Sequence, residues 1–168
     1  MSIRIEEITK QHNRDSFDCG SQELNQFLKQ QARQAGSRHI SKTYVACYEE
    51  EPLDIIGFHT LTGYSVIAPP EHKLYRKYSH PLSAIKLARL AVDKEHQRNK
   101  LGQHLLIDAI QRTVVVAEQI AAIGLFVDPL NEAIVPFYEQ FGFLKVNVEQ
   151  TKDIEMWLPI STCIKAVR

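Results

Sequence analysis

The stretch LARLAVDKEHQRNKLGQHLL, residues 87–106, contains the change of pattern that decides the fold of this chain. An apolar run ends at Val92, charged and polar residues follow, and apolar residues at helical spacing resume at Leu101. This order is typical of a buried strand that leads through a polar turn into a helix. The first N–H groups of a helix have no intrahelical partner and carry the positive end of its dipole. The stretch therefore predicts a β–α connection that can bind an anion, most often a phosphate.

Three residues of this turn bear on the prediction. Arg98 and Lys100 add positive charge, and Gly102 lets the backbone approach a ligand closely. From the turn alone, a polar connection that binds no ligand is an equally good interpretation.

The residues at the N-terminus predict a strand followed by a helix. Apolar residues over 3–8 give the strand pattern. Ser21 can cap the helix, which continues at helical spacing over 22–35 and ends at Gly36.

A hairpin is predicted next. The segments 43–48 and 55–67 are rich in β-branched and aromatic residues, and the turn sequence EEEPLD separates them. Pro69 and Pro70 end the second segment, and the polar, basic residues 71–81 form a short helix or a loop.

The remaining elements complete a mixed sheet. The patterns predict, in order, a strand over 84–92, a helix over 101–118, a strand over 122–127, a helix within 131–141 that ends at Gly142, and strands over 143–148 and 154–159. We expect a single domain over 1–168 of the α/β (α+β) class, with a mixed central sheet of about six or seven strands flanked by about four helices. The β–α–β unit in the middle must connect right-handedly.

Composition excludes several classes of protein. No run of about 18 apolar residues is present, so no membrane span is expected, and the N-terminus lacks a secretory signal. Cys19, Cys47 and Cys163 are widely spaced and contain no CxxC pair, which favours a reducing cytoplasm over a disulfide framework or a zinc site. The histidines contain no HExxH pattern, so no metal site is expected. We expect His59 to be packed or hydrogen-bonded, and Trp157 to lie in the core or an interface.

Charge is unevenly distributed although the net charge is zero. Residues 24–48 contain no acid but four basic residues, and residues 71–100 contain eight Lys or Arg against three acids. Such asymmetry favours one face for anionic partners. Chance clustering on a solvated surface explains the first group about as well.

The polar turn resembles the pyrophosphate loop of the GCN5-related N-acetyltransferases (GNAT), whose pattern is Q/R-x-x-G-x-G/A. Gln97 and Gly102 match the pattern, and Lys100 stands at the place of its first glycine. A lysine adopts positive φ less readily than glycine, so we expect a changed loop or weaker acetyl-CoA binding.

The segment NEAIVPFYEQFGF, residues 131–143, resembles the second GNAT signature. The resemblance implies that Tyr138 lies beside the thioester sulfur and is a general acid that protonates the leaving thiolate. The alternative is a tyrosine packed on an apolar helix face. Pro136 implies that the helix begins late or is kinked.

Four further segments resemble one GNAT branch, the acetyltransferase toxins of toxin–antitoxin modules: FDCGSQELNQFLKQQA, SKTYVA, KLARLAVD and GLFVD. This resemblance implies the GNAT fold and acetylation, from acetyl-CoA, of the α-amino group of aminoacyl-tRNA, which blocks translation. It also implies a ribbon-helix-helix antitoxin as partner, a homodimer and no metal.

The resemblance also assigns site residues. Backbone groups of the strand over 86–92 would pair with the pantetheine amides, and one N–H near Leu90 or Ala91 would stabilise the oxyanion. The cofactor-binding residues implied are Leu90, Ala91, Val92, Gln97, Arg98, Asn99, Lys100, Leu101, Gly102, Gln103, Asn131 and Ala133. A base is not required, because an α-amine has a pKa of about 7.7 to 8.0 and a neighbouring ester lowers it.

Basic residues would contact the tRNA phosphates. The candidates are Arg33, Arg38, Lys42, Lys77 and Arg89, with Lys73, Arg76 and Lys86 near them. Arg89 lies on the core strand, where a structural ion pair is the alternative. Two other functions remain open: a housekeeping N-acetyltransferase for a small amine or peptide N-terminus, and a non-catalytic CoA-binding module.

Overall fold

The computed structural model describes residues 2–67, 75, 77–146 and 154–168. The strands are β1 (Ile3–Glu7), β2 (Lys42–Tyr48), β3 (Gly57–Val66), β4 (Leu82–Val92), β5 (Gly124–Val127), β6 (Leu144–Lys145) and β7 (Met156–Pro159). The helices are α1 (Gln22–Gln30), α2 (Ala32–Ser37), α3 (Leu101–Gln119), α4 (Val135–Glu139) and α5 (Ile160–Ala166). Short 3-10 turns cover Lys94–His96 and Glu132–Ile134.

The sheet is mixed, as the sequence predicts. Its strand order over the described residues is β1-β2-β3-β4-β5-β7-β6. β4 and β5 are parallel, with Ile85 opposite Leu125 and Leu87 opposite Val127. The hairpin of β2 and β3 is antiparallel, as are the pairs β1–β2, β5–β7 and β6–β7.

The chain divides into two compact units. The first consists of Met1–Thr62 and Ala88–Ala109. In its core the Phe58 ring meets Phe17 edge-on at 5.5 Å and stacks on Phe27 at 6.3 Å between ring centroids. Gly57 allows the start of α3 to pack closely, because a Cβ there would lie 2.9 Å from Leu105 Cδ1.

The second unit consists of Gly63–Leu87 and Ile110–Arg168. Phe126 and Trp157 stack at 5.2 Å between ring centroids, and Trp157 is only 2% exposed, so it lies in the core. Beside this stack, Lys86 Nζ lies 2.9 Å from Asp128 and 3.2 Å from Glu155, which also accepts a hydrogen bond from the Tyr64 hydroxyl at 2.6 Å. Lys86 is therefore neutralised by acids.

The first predicted helix is split in two. Ser21 caps it as expected, with its hydroxyl accepting from the Leu24 N–H at 3.3 Å. The helical run is interrupted at Gln31, whose φ is −124°. Gly36 does not end it, since it is buried inside α2; His39 makes the following turn with φ of 57°.

Two other predictions needed correction. The segment ISTCIKA forms α5, which the sequence reading missed because the helix is short and follows β7 without a break. β3 begins at Gly57, so Ile55 and Ile56 precede it. Pro69, Pro70, Lys73 and Arg76 and the end of the strand predicted over 143–148 lie outside the described residues.

The helix that carries Tyr138 begins late, which is one of the two outcomes expected from Pro136. The 3-10 turn precedes α4, and Pro136 lies in the first helical turn, where its missing N–H breaks no hydrogen bond. Gly142 follows α4 with φ of 98°, a conformation that glycine adopts at little cost.

Candidate functional site

The connection from β4 to α3 has the form that the sequence predicts. β4 ends at Val92, the 3-10 turn and a second turn follow, and α3 begins at Leu101. The Gln103 and His104 N–H groups donate to the Lys100 carbonyl at 3.1 and 3.3 Å. Residues 97–100 are exposed. The connection therefore leaves residues 97–100, which lead directly into the first turn of a long helix, accessible to an anion.

Lys100 has the backbone conformation expected of the glycine that it replaces. Its φ is 58°, and among the described non-glycine residues only His39 shares a positive φ. The left-handed conformation costs a residue with a Cβ roughly 1 to 3 kcal/mol, so surrounding contacts must hold it. The lysine thus adopts a torsion that glycine enters more readily, and it adds an exposed ammonium group.

Gln97, the first residue of the loop pattern, is engaged within the protein. Its side-chain amide nitrogen donates to the Cys19 carbonyl at 3.2 Å and the Val92 carbonyl at 3.1 Å. These hydrogen bonds join the end of β4 to the FDCG segment, residues 17–20. Sequence reasoning took that segment as a turn and as part of the resemblance, but it missed the contact with Gln97.

The end of β4 extends past its ladder with β5. The paired positions are Ile85–Leu87 with Leu125–Val127, and Ala88–Val92 continue beyond them. Ala91 is 6% exposed, whereas Leu90 and Val92 are half-buried. Backbone groups at this end of β4 are the ones to which the resemblance assigns pantetheine binding.

Tyr138 is almost fully buried in α4. It is 4% exposed, and its ring meets the edges of Phe137 at 5.1 Å and Phe143 at 5.4 Å. Burial raises the pKa of Tyr138 to about 12, because a phenolate would lose its hydration. The phenol is therefore protonated near neutral pH, the form that a general acid requires, and it also packs in an apolar cluster. Ala133 lies in the exposed 3-10 turn before α4, and Asn131 is the residue that precedes this turn.

The basic candidates Arg33, Arg38 and Lys42 differ in whether an acid lies close enough to compensate their charge. Arg38 is exposed at the end of α2. Arg33 is half-buried, and in the described part of the chain its Nε has no hydrogen-bond partner. Lys42 Nζ lies 3.2 Å from Glu7 and donates to the Gly36 carbonyl at 3.2 Å. Arg33 and Arg38 thus offer more uncompensated charge than Lys42.

Arg89 stacks on an aromatic ring. Its guanidinium carbon lies 3.6 Å from the centroid of Phe27, a cation–π contact. Burial lowers the pKa of Arg89, and the charge of Glu23 opposes that effect. No carboxylate among the described residues lies within ion-pair distance, so the structural ion pair considered for Arg89 is absent there. Lys77, in the second unit, is exposed beside the Tyr78 ring.

The other candidates for chemistry have structural contacts. His59 is buried, and its Nε2 lies 2.7 Å from Asp108 Oδ2, which confirms that it is packed and hydrogen-bonded. The described residues contain no group of three metal-ligating side chains. Cys19, Cys47 and Cys163 are free thiols. None of the described helices is long and apolar enough to cross a bilayer.

Comparison with known proteins shows which family the chain is similar to. Residues 15–161 match the model of the acetyltransferase (GNAT) domain. The tRNA-acetylating toxin of Mycobacterium tuberculosis strain H37Rv is 33% identical over 129 residues, which cover 76% of each chain.

Solved structures share the fold. AtaT complexed with acetyl-methionyl-tRNAfMet has a TM-score of 0.88 at 24% identity, covering 99% of this chain and 100% of that one. A mutant AtaT toxin bound to the C-terminus of the antitoxin AtaR and acetyl-CoA has a TM-score of 0.81 at 24% identity, covering 98% of each chain. At this level of identity the likeness establishes the fold alone.

Proposed function

The chain belongs to the GNAT acetyltransferase family, and on that premise we propose that it is a toxin that uses acetyl-CoA to acetylate the α-amino group of aminoacyl-tRNA and so blocks translation. The observation that carries the proposal is a sequence identity of 33% to a tRNA-acetylating toxin, over 76% of both chains. The glycine-like turn at Lys100, the start of α3 and the protonated phenol of Tyr138 support it.

The residues present fit acetyl-CoA as a co-substrate, which supplies an acetyl group activated as a thioester. The connection over 97–103, which is exposed at residues 97–100, would hold the diphosphate: backbone N–H groups at the start of α3 would donate to it, and Arg98 and Lys100 would add charge. Asn131 and Ala133 contribute contacts from the turn before α4. No metal is required for these roles.

The chemistry depends on two features of the chain. Backbone groups of Leu90, Ala91 and Val92 bind the pantetheine arm, and an N–H of this strand donates to the acyl oxygen as it gains charge. Tyr138 donates its phenolic proton toward the leaving sulfur. The α-amine of an aminoacyl ester is sufficiently neutral at pH 7 to attack without a dedicated base, and holding both substrates in register supplies much of the rate.

Recognition of the tRNA is electrostatic. Arg33, Arg38, Arg89 and Lys77 are the residues that we expect to contact phosphates. Lys42 contributes less because Glu7 compensates its charge. The stacked Arg89 has no ion-pair partner among the described residues, which suits its charge to a polyanion.

Incubation with labelled acetyl-CoA and different acceptors tests the proposal. We expect label in charged tRNA, and none in uncharged tRNA or in aminoacyl-tRNA whose α-amine is already blocked. Transfer to small amines or peptide N-termini instead of charged tRNA would indicate a housekeeping acetyltransferase. Binding of acetyl-CoA without transfer to any acceptor would indicate a non-catalytic module.

We propose further that the protein acts in the cytoplasm as a homodimer and that a ribbon-helix-helix antitoxin neutralises it. Expression of the wild-type chain should arrest growth, and co-expression of the neighbouring reading frame should restore it. Growth arrest that persists with that frame would contradict the assignment of the antitoxin. Sedimentation of the purified chain measures the oligomeric state, and a monomer at micromolar concentration would contradict the dimer.

A further inference from the structure

The FDCG segment forms a closed hydrogen-bonded turn around Asp18. Asp18 Oδ1 accepts from the Gly20 N–H at 2.9 Å and from Asn25 Nδ2 at 3.0 Å. Asn25 in turn accepts from the Cys19 N–H at 3.0 Å. The Gly20 N–H, then Asn25 and Lys94, hold the pKa of Asp18 well below its usual range, so the carboxylate is charged at all ordinary pH values. Gly20 completes the turn with φ of 91°.

This turn is bonded to the connection between β4 and α3 at several points. The Asp18 N–H donates to Asp93 Oδ2 at 3.1 Å, and the Lys94 N–H donates to the Asp18 carbonyl at 2.9 Å. Lys94 Nζ lies 3.0 Å from Asp18 Oδ2. Gln97 adds its two bonds, to the carbonyls of Cys19 and Val92. All these residues belong to the first compact unit.

The connection is also held at Asp93, whose N–H donates to the Ile56 carbonyl at 2.8 Å, and at His96, whose ring centroid lies 5.6 Å from that of Tyr48. Apart from one 3-10 turn, residues 93–100 form irregular structure, and most of them are exposed. They must nevertheless present Lys100 with φ of 58°, a conformation that persists only where surrounding contacts over-determine it. The Asp18 turn supplies contacts to the two residues that follow β4 and, through Gln97, to the second turn.

We propose that Asp18, Asn25 and Gln97 are positioning residues that preform the pyrophosphate loop, and that the specific role of the FDCG segment is to set the affinity for acetyl-CoA. The inference rests on the proposed function, since it assigns the loop to the coenzyme. The three side chains need not touch the ligand. Without them the loop samples more conformations, and binding must then supply the cost of ordering it. The affected quantity is therefore acetyl-CoA affinity, and the chemical step at saturation is spared.

The first test is Asp18→Ala, studied as the full chain. We expect the Kd for acetyl-CoA, measured by calorimetry, to rise about tenfold, as expected for loss of a hydrogen bond to a charged group. The KM for acetyl-CoA should rise with it, whereas kcat and the KM for charged tRNA should stay within about twofold of wild type. Asp15→Asn is the matched control: Asp15 is exposed, three positions earlier, and should leave all four values unchanged.

A double-mutant cycle tests whether Asp18 and Gln97 hold the loop together or whether each acts separately. Gln97→Ala should weaken acetyl-CoA binding similarly, and Asp18→Ala combined with Gln97→Ala should weaken it little more than one change alone, because both act on one turn. Fully additive effects on the Kd would overturn the common role.

Hydrogen exchange on the wild-type chain keeps the inference testable if a variant misfolds. Acetyl-CoA should increase protection of the Gly20 and Lys94 amides as well as that of residues 97–103. Unchanged exchange at Gly20 and Lys94, or a folded Asp18→Ala chain with wild-type Kd, would overturn the positioning role. Failure of the wild-type chain to bind acetyl-CoA would instead overturn the proposed function.

Discussion

Tyr138 combines two properties that the sequence treated as alternatives. It is packed among phenylalanines like a core residue, and the same burial raises its pKa to about 12, so that it holds its proton. A phenol of this pKa is a weak acid, but it is fully protonated over the physiological pH range. Packing also fixes its orientation, because Phe137 and Phe143 pack on the ring in T-shaped contacts with interplanar angles of 78° and 65°. A structural environment and a catalytic role are therefore compatible at this position.

Tyr138→Phe removes only the hydroxyl. We expect acetyl-CoA to bind with unchanged Kd and kcat to fall by about 100-fold or more, since general acid catalysis typically contributes 10² to 10⁴. Calorimetry and initial rates with charged tRNA measure the two effects. Normal turnover would remove Tyr138 from the mechanism. This pattern is the opposite of the one expected for Asp18→Ala.

Lys100 makes a second test of a single residue possible. Lys100→Gly should keep acetyl-CoA binding within a few-fold, because glycine adopts φ of 58° without strain. Lys100→Val should raise the Kd roughly tenfold, because a β-branched residue at positive φ is strained and will displace the loop.

Glu95→Val is the control for these two variants, since Glu95 is exposed and has an ordinary φ. Equal affinities for Lys100→Gly and Lys100→Val would show that the torsion at Lys100 has no part in binding.

The helices and strands follow local patterns where those patterns are long. The periodicity of α3, the hairpin and the continuous apolar run of β5 were all predicted from the sequence. The pattern of α3 repeats with the period of a helix, and β5 is buried along its whole length. Short elements were less predictable. α2 and α5 each depend on tertiary contacts more than on their own propensity, since helices under about 12 residues are marginal alone.

A substitution at Gly57 tests how closely α3 packs on the sheet. In Gly57→Ala the new Cβ would lie 2.9 Å from Leu105 Cδ1 and 3.1 Å from the Ala91 carbonyl. We expect a loss of about 1 to 3 kcal/mol in the free energy of unfolding, as is typical of overpacking. Denaturant titration measures it.

Gly63→Ala is the matched control on the same strand, because nothing lies within 4 Å of a Cβ at Gly63. It should leave the denaturant midpoint nearly unchanged. Similar losses for both variants would point to a general effect of alanine in β3 and contradict close packing at Gly57.

We expect Arg33 and Arg38 to affect the use of charged tRNA and not the binding of acetyl-CoA. Arg33→Glu combined with Arg38→Glu should raise the KM for charged tRNA at least tenfold and leave acetyl-CoA binding unchanged, because each reversal replaces attraction to phosphate by repulsion. Lys42→Ala should have a smaller effect than Arg38→Ala, since Glu7 already compensates Lys42. Unchanged use of tRNA by the double variant would contradict this part of the proposed binding surface.

The whole molecule has no net charge, so any attraction to tRNA must come from the distribution of its charges. Binding of charged tRNA should weaken steeply with salt, with log K falling linearly in log salt concentration as phosphate counterions are released. Filter binding or fluorescence anisotropy at several potassium chloride concentrations gives the slope. A flat salt dependence would contradict recognition through phosphates.

The sequence by itself determined the mixed sheet, the parallel β4–β5 pair and the polar turn that leads into α3, because hydrophobic period and turn residues are local properties of the chain. Only the tertiary structure decided how the loop is held. Asp18 and Asp93, or Cys19 and Gln97, are far apart in the chain, and no local pattern joins them. The positive φ of Lys100 and the high pKa of Tyr138 were also decided by the tertiary structure, since each depends on surroundings that form only when distant segments pack together.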